Sequence, residues 1–270
     1  MNIKQNLPIL LGLSVLAFGC STEEMAPSNE IPADAKAQLE EMGFSTVNAT
    51  TFQENDPVAG PRAGYLVEGD LKITQDMLLA EASPFDNFGP KGEQYFSGYT
   101  VLGLPRTINV LGYTGGANAL TSNMQTGLQF AIDNYNALNL LLSFNLTFGT
   151  NTGPADIVVY KVTSGAAGGS AGFPSGGNPY KWVQINSGTA AYSTNVIEHV
   201  LGHEIGHCLG MVHTGIRDPA SCNYSPTARG YHIPGTPTGD DPDSIWTSCF
   251  NASVDGEFSA YDVIALDYLY

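Results

Sequence analysis

Apolar positions recur along the chain with two periods. Leu120, Met124, Leu128, Ala131, Tyr135 and Leu138 are three and four residues apart, which predicts an amphipathic helix. Val196, Ile197, Val200, Leu201, Ile205 and Leu209 repeat that spacing and predict a second helix over about residues 194–209, with Asn195 and Glu198 as its cap and partner. Residues 143–148 alternate strictly between apolar and polar and predict a strand, as do the short runs 107–113, 157–162 and 181–186, of which 157–162 reads as buried. Strands alternating with helices beyond residue 100 predict an α/β (α+β) domain. A glycine-rich stretch at 165–177, broken by Phe173-Pro174, separates two of the strands.

The first hundred residues read differently. Residues 21–60 carry Pro27, Pro32 and Pro57 among polar residues, with one short helical pattern at 32–42, and predict a tether with small ordered pieces. Residues 65–67 and 71–74 flank Glu68-Gly69-Asp70 as strand, turn and strand, and 76–81 forms a helical turn. Residues 83–98 show no periodicity and read as a linker, with a boundary near residue 95. Three segments follow: 1–20, 21–99 as a tether with ordered pieces, and 100–270 as the α/β domain.

A signal peptide at 1–20 rests on Lys4, the uncharged stretch 7–18, and then Gly19 and Cys20. Twelve uncharged residues fall short of the roughly 20 that cross a bilayer as a helix. The ending Leu16-Ala17-Phe18-Gly19-Cys20 resembles a bacterial lipobox, in which Cys20 takes the lipid; an ordinary secretory signal is the alternative. Export to the outer membrane or cell surface, or secretion, is the expected localisation, and the lipid is the expected membrane contact.

Composition narrows the function. With 43% hydrophobic and 13% charged residues, the 270-residue chain has the material for a folded core. A net charge of −16 argues against a nucleic-acid partner, since that binding relies on lysine and arginine. After Arg229 come seven acids, Asp240, Asp241, Asp243, Asp255, Glu257, Asp262 and Asp267. They suit a solvated acidic face, with a Ca2+ site as the sharper alternative.

The strongest chemical signal is His203-Glu204-Ile205-Gly206-His207-Cys208-Leu209-Gly210-Met211-Val212-His213. Two histidines four apart stack on one helix face, so both imidazoles reach one metal, and Glu204 lies close enough to act on a metal-bound water. A helix cannot supply the third ligand. Gly210 tolerates a positive φ, lets the chain leave the helix and returns His213 to the same ion. Three neutral nitrogens leave a fourth position for water, as in catalytic rather than structural Zn2+ sites. His199, one turn upstream, lies too far along the axis to join and reads as a packing or supporting residue; His232 has no assigned role.

These eleven residues resemble the signature of the metzincin metallopeptidases, and the His-Glu-Ile-Gly-His form is similar to the protease-B-like dual-action HEIGH metallopeptidases, a bacterial secreted group. Gly172-Phe173-Pro174 with Pro179-Tyr180, the segment 233–239 with Asp241-Pro242 and Ser244, and the closing 258–270 resemble that group too. The resemblance covers about residues 100–270. It implies a twisted mixed sheet with a backing helix and an active-site helix, and a small C-terminal subdomain ending in a helix capped by Ser259. It departs at the turn beneath the zinc, where metzincins place methionine and this chain has Trp246. Ser248 stands where some families supply a tyrosine ligand, and Tyr224 and Tyr231 are the substitutes on offer. Val67-Glu68-Gly69-Asp70 resembles the astacin pro-segment motif, which implies Asp70 as a zinc ligand in a latent form; an acidic hairpin turn is the plain alternative. Among Cys208, Cys222 and Cys249 the preferred disulfide is Cys222 with Cys249, leaving Cys208 buried and free, and pairings through Cys208 stay open.

The reading is a monomeric, exported zinc endopeptidase with Glu204 as general base, in which 1–20 is a signal peptide of lipoprotein type, 21–99 tether and pro-region, and 100–270 the zinc metallopeptidase catalytic domain. Its protein or peptide substrate lies extended along an edge strand near Phe173. The alternative is a surface zinc lipoprotein that binds peptide or matrix without cleaving it.

Overall fold

The computed structural model describes residues 30–80, 94–215, 230–237 and 241–270. The chain begins with helix α1 (Ala33–Glu41) and an antiparallel meander of β1 (Thr50–Asp56), β2 (Gly60–Val67) and β3 (Leu71–Thr74), followed by the short helix α2 (Gln75–Ala80). Strand β4 (Tyr95–Phe96) comes next, then β5 (Arg106–Tyr113), α3 (Ser122–Ala137), β6 (Leu142–Gly149), β7 (Ile157–Val162), β8 (Gly169–Ser170) and β9 (Trp182–Asn186). Helix α4 (Thr194–Leu209) leads into β10 (Met211–Val212), and β11 (Tyr231–His232) and α5 (Ala260–Leu269) complete the described elements.

The main sheet has the order β6-β5-β7-β9-β8. Its first four strands are parallel, and β8 joins antiparallel to β9 at the edge. Parallel neighbours need a crossover, and α3 supplies the one from β5 to β6. One sheet face turns Ile108, Val110, Ile157, Val159, Val183 and Ile185 into a core shared with α3 and α4. The opposite face carries Leu111, Val158 and Tyr160, against which Val58 and Ala59 of the meander pack. Expectation and structure agree on a mixed α/β architecture with a backing helix, a second long helix and a closing helix. Ser259 caps α5 through a capping box with Asp262.

Three local expectations need correction. Residues 50–56, read within the tether, form β1, which pairs with β2 from Thr50↔Leu66 to Asp56↔Gly60. That strand has little apolar alternation to betray it, because only Asp56 in it is buried. The cap of α4 is Ser193, whose side chain accepts from the Val196 N–H, rather than Asn195. Finally, the stretch read as a linker contains β4, which pairs antiparallel with both β10 and β11.

The meander is joined to the main sheet by polar groups. Arg62 donates to Glu54 at 2.6 Å, to the Tyr160 hydroxyl at 2.9 Å and to the Tyr180 hydroxyl at 3.1 Å. Gln184 and Tyr160 donate to Asp56 at 2.7 and 2.8 Å, and Lys72 donates to Glu54 at 2.7 Å and to Gln184. Burying such charges is tolerable only because each has partners.

Candidate metal centre

Helix α4 is buried on all sides from Val196 to Leu209, which suits its apolar run and its central place between sheet, α3 and the 244–247 turn. It ends at Gly210, whose φ of 107° is left-handed and whose N–H bonds the Gly206 and His207 carbonyls. A Cβ at Gly210 would also collide with the Tyr99 carbonyl. The reversal feeds β10, whose pairing with β4 carries the chain on to His213.

The three imidazoles meet at one point. His203 Nε2 lies 2.9 Å from His207 Nε2 and 3.2 Å from His213 Nε2. The Asp70 carboxylate approaches from the other side, 3.2 Å from His213 Nε2, 3.5 Å from His203 Nε2 and 3.7 Å from His207 Nε2. A tetrahedral zinc with ligands at about 2.0–2.1 Å has edges of about 3.3 Å, so this set has the dimensions of a zinc cage. The outer nitrogens agree. His203 Nδ1 donates to the Ile245 carbonyl at 2.7 Å and His207 Nδ1 to the Met211 carbonyl at 2.8 Å. Both acceptors are carbonyls, so the proton of each neutral ring sits on Nδ1 and an Nε2 lone pair faces inward. His213 Nδ1 faces Glu68 Oε2 at 3.1 Å. Lone pairs facing each other at 2.9 Å are repulsive unless a cation lies among them, and the residues therefore fit the metal.

Without a metal, the charges shift as that crowding requires. Burial opposes a charged His213, yet Asp70 and Glu68 outweigh it and raise His213 to about 10. Burial and then His203 push His207 well down. Burial works against the Asp70 carboxylate, but the histidines, His213 foremost, hold it far below the usual range.

Glu204 is buried, and burial followed by Asp70 raises its carboxyl well above the ordinary value. Its Oε2 has no hydrogen-bond partner. Room for it is made by Gly169 on β8, where a Cβ would stand 2.6 Å from Glu204 Oε1. Glu204 borders a cavity of about 210 Å³ that His203, His199, Ser248 and the 167–169 backbone also line.

Asp70 is delivered by the β2–β3 hairpin. Glu68 has φ 55° and Gly69 φ 99°, both left-handed. Strain at a residue other than glycine persists where contacts hold it. Here Glu68 Oε1 accepts from the Ser45 N–H at 2.8 Å while Oε2 meets His213. Past the turn, Leu71 forms a parallel bridge with Ala171 just beyond β8, through Ala171 N–H to Asp70 O at 3.1 Å and Lys72 N–H to Ala171 O at 2.6 Å. The edge expected to take substrate is thus paired with the hairpin.

The sequence profile of the dual-action HEIGH metallo-peptidases matches residues 65–270. The chain belongs to that family. Two solved structures of myroilysin are similar at 19% identity, each with a TM-score of 0.41; one match covers 61% of this chain and 79% of the other, the second 74% and 98%. None of the curated proteins matches.

In this HEIGH metallopeptidase the turn at Trp246 lies against α4. Trp246 is fully buried, its carbonyl accepts from the Thr214 N–H at 2.9 Å, and its indole packs against Gly206, where no side chain would fit. Asp262 of α5 clamps the turn, accepting from Ser244 Oγ at 2.6 Å and the Ile245 N–H at 2.8 Å. Burial raises this carboxyl to about 6 despite those donors. Asp262 thereby steadies the carbonyl that orients His203. Sequence places Asp241 and Asp262 on a solvated acidic face and gives Glu68 no role, but both aspartates are buried, where Asp262 accepts hydrogen bonds from the turn; Ser259-x-x-Asp262 is visible as a capping box, and Glu68 sits in the motif that singled out Asp70.

The remaining expected residues fall elsewhere. His232 bonds Thr236 Oγ1 at 3.0 Å, and the Tyr231 ring packs on Phe96. His199 is buried, its ring 5.7 Å from that of Phe250, and burial and His203 lower it to about 3. It also borders a second cavity lined by Asp243 and Asp255. Cys249 is in a disulfide and Cys208 is free and buried; Cys20, Cys222 and Tyr224 lie outside the described residues. Among the described residues, Asp70 with the three histidines is the single His/Cys/Asp/Glu group whose ligand atoms converge, and the acids after Arg229 form no second one for Ca2+.

Proposed function

We propose that this metallopeptidase is an exported zinc endopeptidase of metzincin type, held latent by its own β2–β3 hairpin and tethered by lipid at Cys20. The supporting observation is the Asp70 carboxylate, 3.2 Å from His213 Nε2 and opposite the inward nitrogens of His203 and His207. A carboxylate there occupies the position that water needs.

His203, His207 and His213 would hold zinc, which would supply a Lewis acid for the scissile carbonyl and make water there more acidic. The work of the chain is to place protons and peptide. Glu204, with an unpartnered Oε2, accepts the proton of the attacking water and passes it to the leaving nitrogen. Nδ1–H bonds to the Ile245 and Met211 carbonyls keep two imidazoles in the ligating tautomer. Once the hairpin withdraws, the main-chain groups of Ala171 become available to an extended substrate, which selects peptide over other polymers.

The test compares the wild-type protein, Glu204→Ala and a chelated sample on unfolded protein, alongside N-terminal sequencing and metal analysis of the mature form. Turnover that requires both Glu204 and metal is expected, with a lipid-modified Cys20 at the N-terminus. A zinc-loaded, processed protein that binds peptide without turnover would replace this reading with the non-proteolytic lipoprotein.

A further inference from the structure

Residues 30–80 meet the rest of the chain along an apolar, a polar and a main-chain strip. In the apolar strip Leu39, Phe44, Val67 and Ile73 are fully buried in one cluster with Tyr95, Tyr99, Phe173 and Val212 from beyond residue 94. The Phe173 ring stands 5.1 Å from that of Phe44 and 4.9 Å from that of Tyr99. In the polar strip Arg62, its side chain 9% exposed, reaches the hydroxyls of Tyr160 and Tyr180, and Asp56 accepts from Tyr160 and Gln184. In the main-chain strip Asp70 and Lys72 bond to Ala171. The next residue, Gly172, leaves room for this approach, because a Cβ there would stand 2.8 Å from the Lys72 carbonyl oxygen. Buried aromatic rings and a buried arginine are the groups that anchor protein–protein interfaces. The covalent connection between the two sides runs from Ala80 to Gln94.

We propose that residues 30–80, once severed from the metallopeptidase, stay bound to it and act as its inhibitor in trans, so that a single cut between α2 and β4 does not activate the enzyme. This deepens the latency reading above and rests on it. Severing the connection exchanges a partner at an effective concentration on the order of millimolar for a free one, and it removes none of the contacts just described. The cut segment is already docked, so no ordering cost falls on it at that moment. Were it held by Asp70 alone, a cut would free it in dilute solution. The Phe44–Phe173 contact and the Arg62 bonds involve no metal ligand and hold without one. Retention keeps the Asp70 carboxylate opposite the three histidines and keeps the Ala171 main chain occupied. The mature form then needs a second event, the digestion or displacement of the segment.

The test uses the full chain with a recognition site for an added protease inserted between α2 and β4 and cut after folding. The two pieces are expected to co-elute in gel filtration down to nanomolar protein, with or without a chelator, while zinc-dependent turnover of unfolded protein stays at the uncut level. Arg62→Ala should weaken retention about 30-fold or more, as loss of an interface anchor does. Tyr180→Phe, which removes one hydroxyl from the opposite side, should weaken it about 10-fold and keeps the test decisive if Arg62→Ala fails to fold. Turnover should rise in step with dissociation in both variants. Pieces that part on cutting, or that stay together while turnover rises, overturn the inference and leave the peptidase intact. Retention that neither substitution weakens overturns the assignment of these contacts. Release without any turnover removes the peptidase reading, and the inhibitor with it.

Discussion

The metal centre is assembled from two regions of unlike construction. The helix side brings His203, Glu204, His207 and His213 within eleven residues, on a buried α4 and a glycine-led reversal. The hairpin side brings Glu68 and Asp70 from more than 130 residues away, on a turn with two left-handed residues and a one-residue bridge to Ala171. The first is fixed by helix geometry and core packing. The second is held by side-chain contacts and a few main-chain bonds. A cage with one covalently local half and one docked half is what the proposed latency requires, since the docked half alone would have to leave.

Several changes separate the two halves, beginning with the largest effect. Glu204→Gln should lower peptidase turnover by about 10²–10⁴-fold with zinc content retained, read by activity and metal analysis together. Loss of zinc instead would mean that Glu204 belongs to the cage. Asp262→Ala should weaken zinc binding by about 10–100-fold in both the full chain and its processed form, because the turn it clamps orients His203. Glu68→Gln should weaken zinc in the full chain alone, and an equal effect in the processed form would contradict a detachable hairpin. Asp70→Ala should raise the activity of the unprocessed chain, on the order of 10-fold if fourth-ligand occupancy is the main block; unchanged activity would shift latency to the Ala171 pairing.

The smallest effect concerns pH. Burial, then Glu257, with Asp255 and Asp133 adding, raises Glu198 on α4 from 4.5 to about 7. A carboxyl raised on folding favours the fold most when protonated. Its contribution is therefore present below about 4.5 and lost as pH rises through about 7. Glu198→Gln, which keeps an acceptor for Asn134, should stabilise the protein at pH 8 by on the order of 1–2 kcal/mol and leave it little changed at pH 4. Thermal melts at the two pH values measure this, and a variant destabilised at pH 8 would exclude it.

The legible parts of the molecule were those written in local periods. Both long helices, β6, β7, β9 and the left-handed Gly210 follow from spacing and residue type. Asp70 emerged from a four-residue motif. The hidden parts are pairings over distance. Nothing local in residues 50–56 announces β1, whose residues owe their order to β2. Glu68 meets His213 only because β3 lines up with Ala171, and Asp262 reaches the 244–245 turn only because α5 docks behind it. A capping box is visible in sequence, but the second duty of its carboxylate depends on the tertiary neighbour.

That second duty sets an order of events. Asp262 leaves the ribosome well after His213, and so does Tyr270, whose hydroxyl accepts from the Val101 N–H and donates to the Leu209 carbonyl at the end of α4. During synthesis His203 therefore emerges before the Ile245 carbonyl that orients it and the Asp262 carboxylate that holds that turn. A nascent chain offers loose histidines, and metal acquisition in a defined geometry waits until α5 has docked.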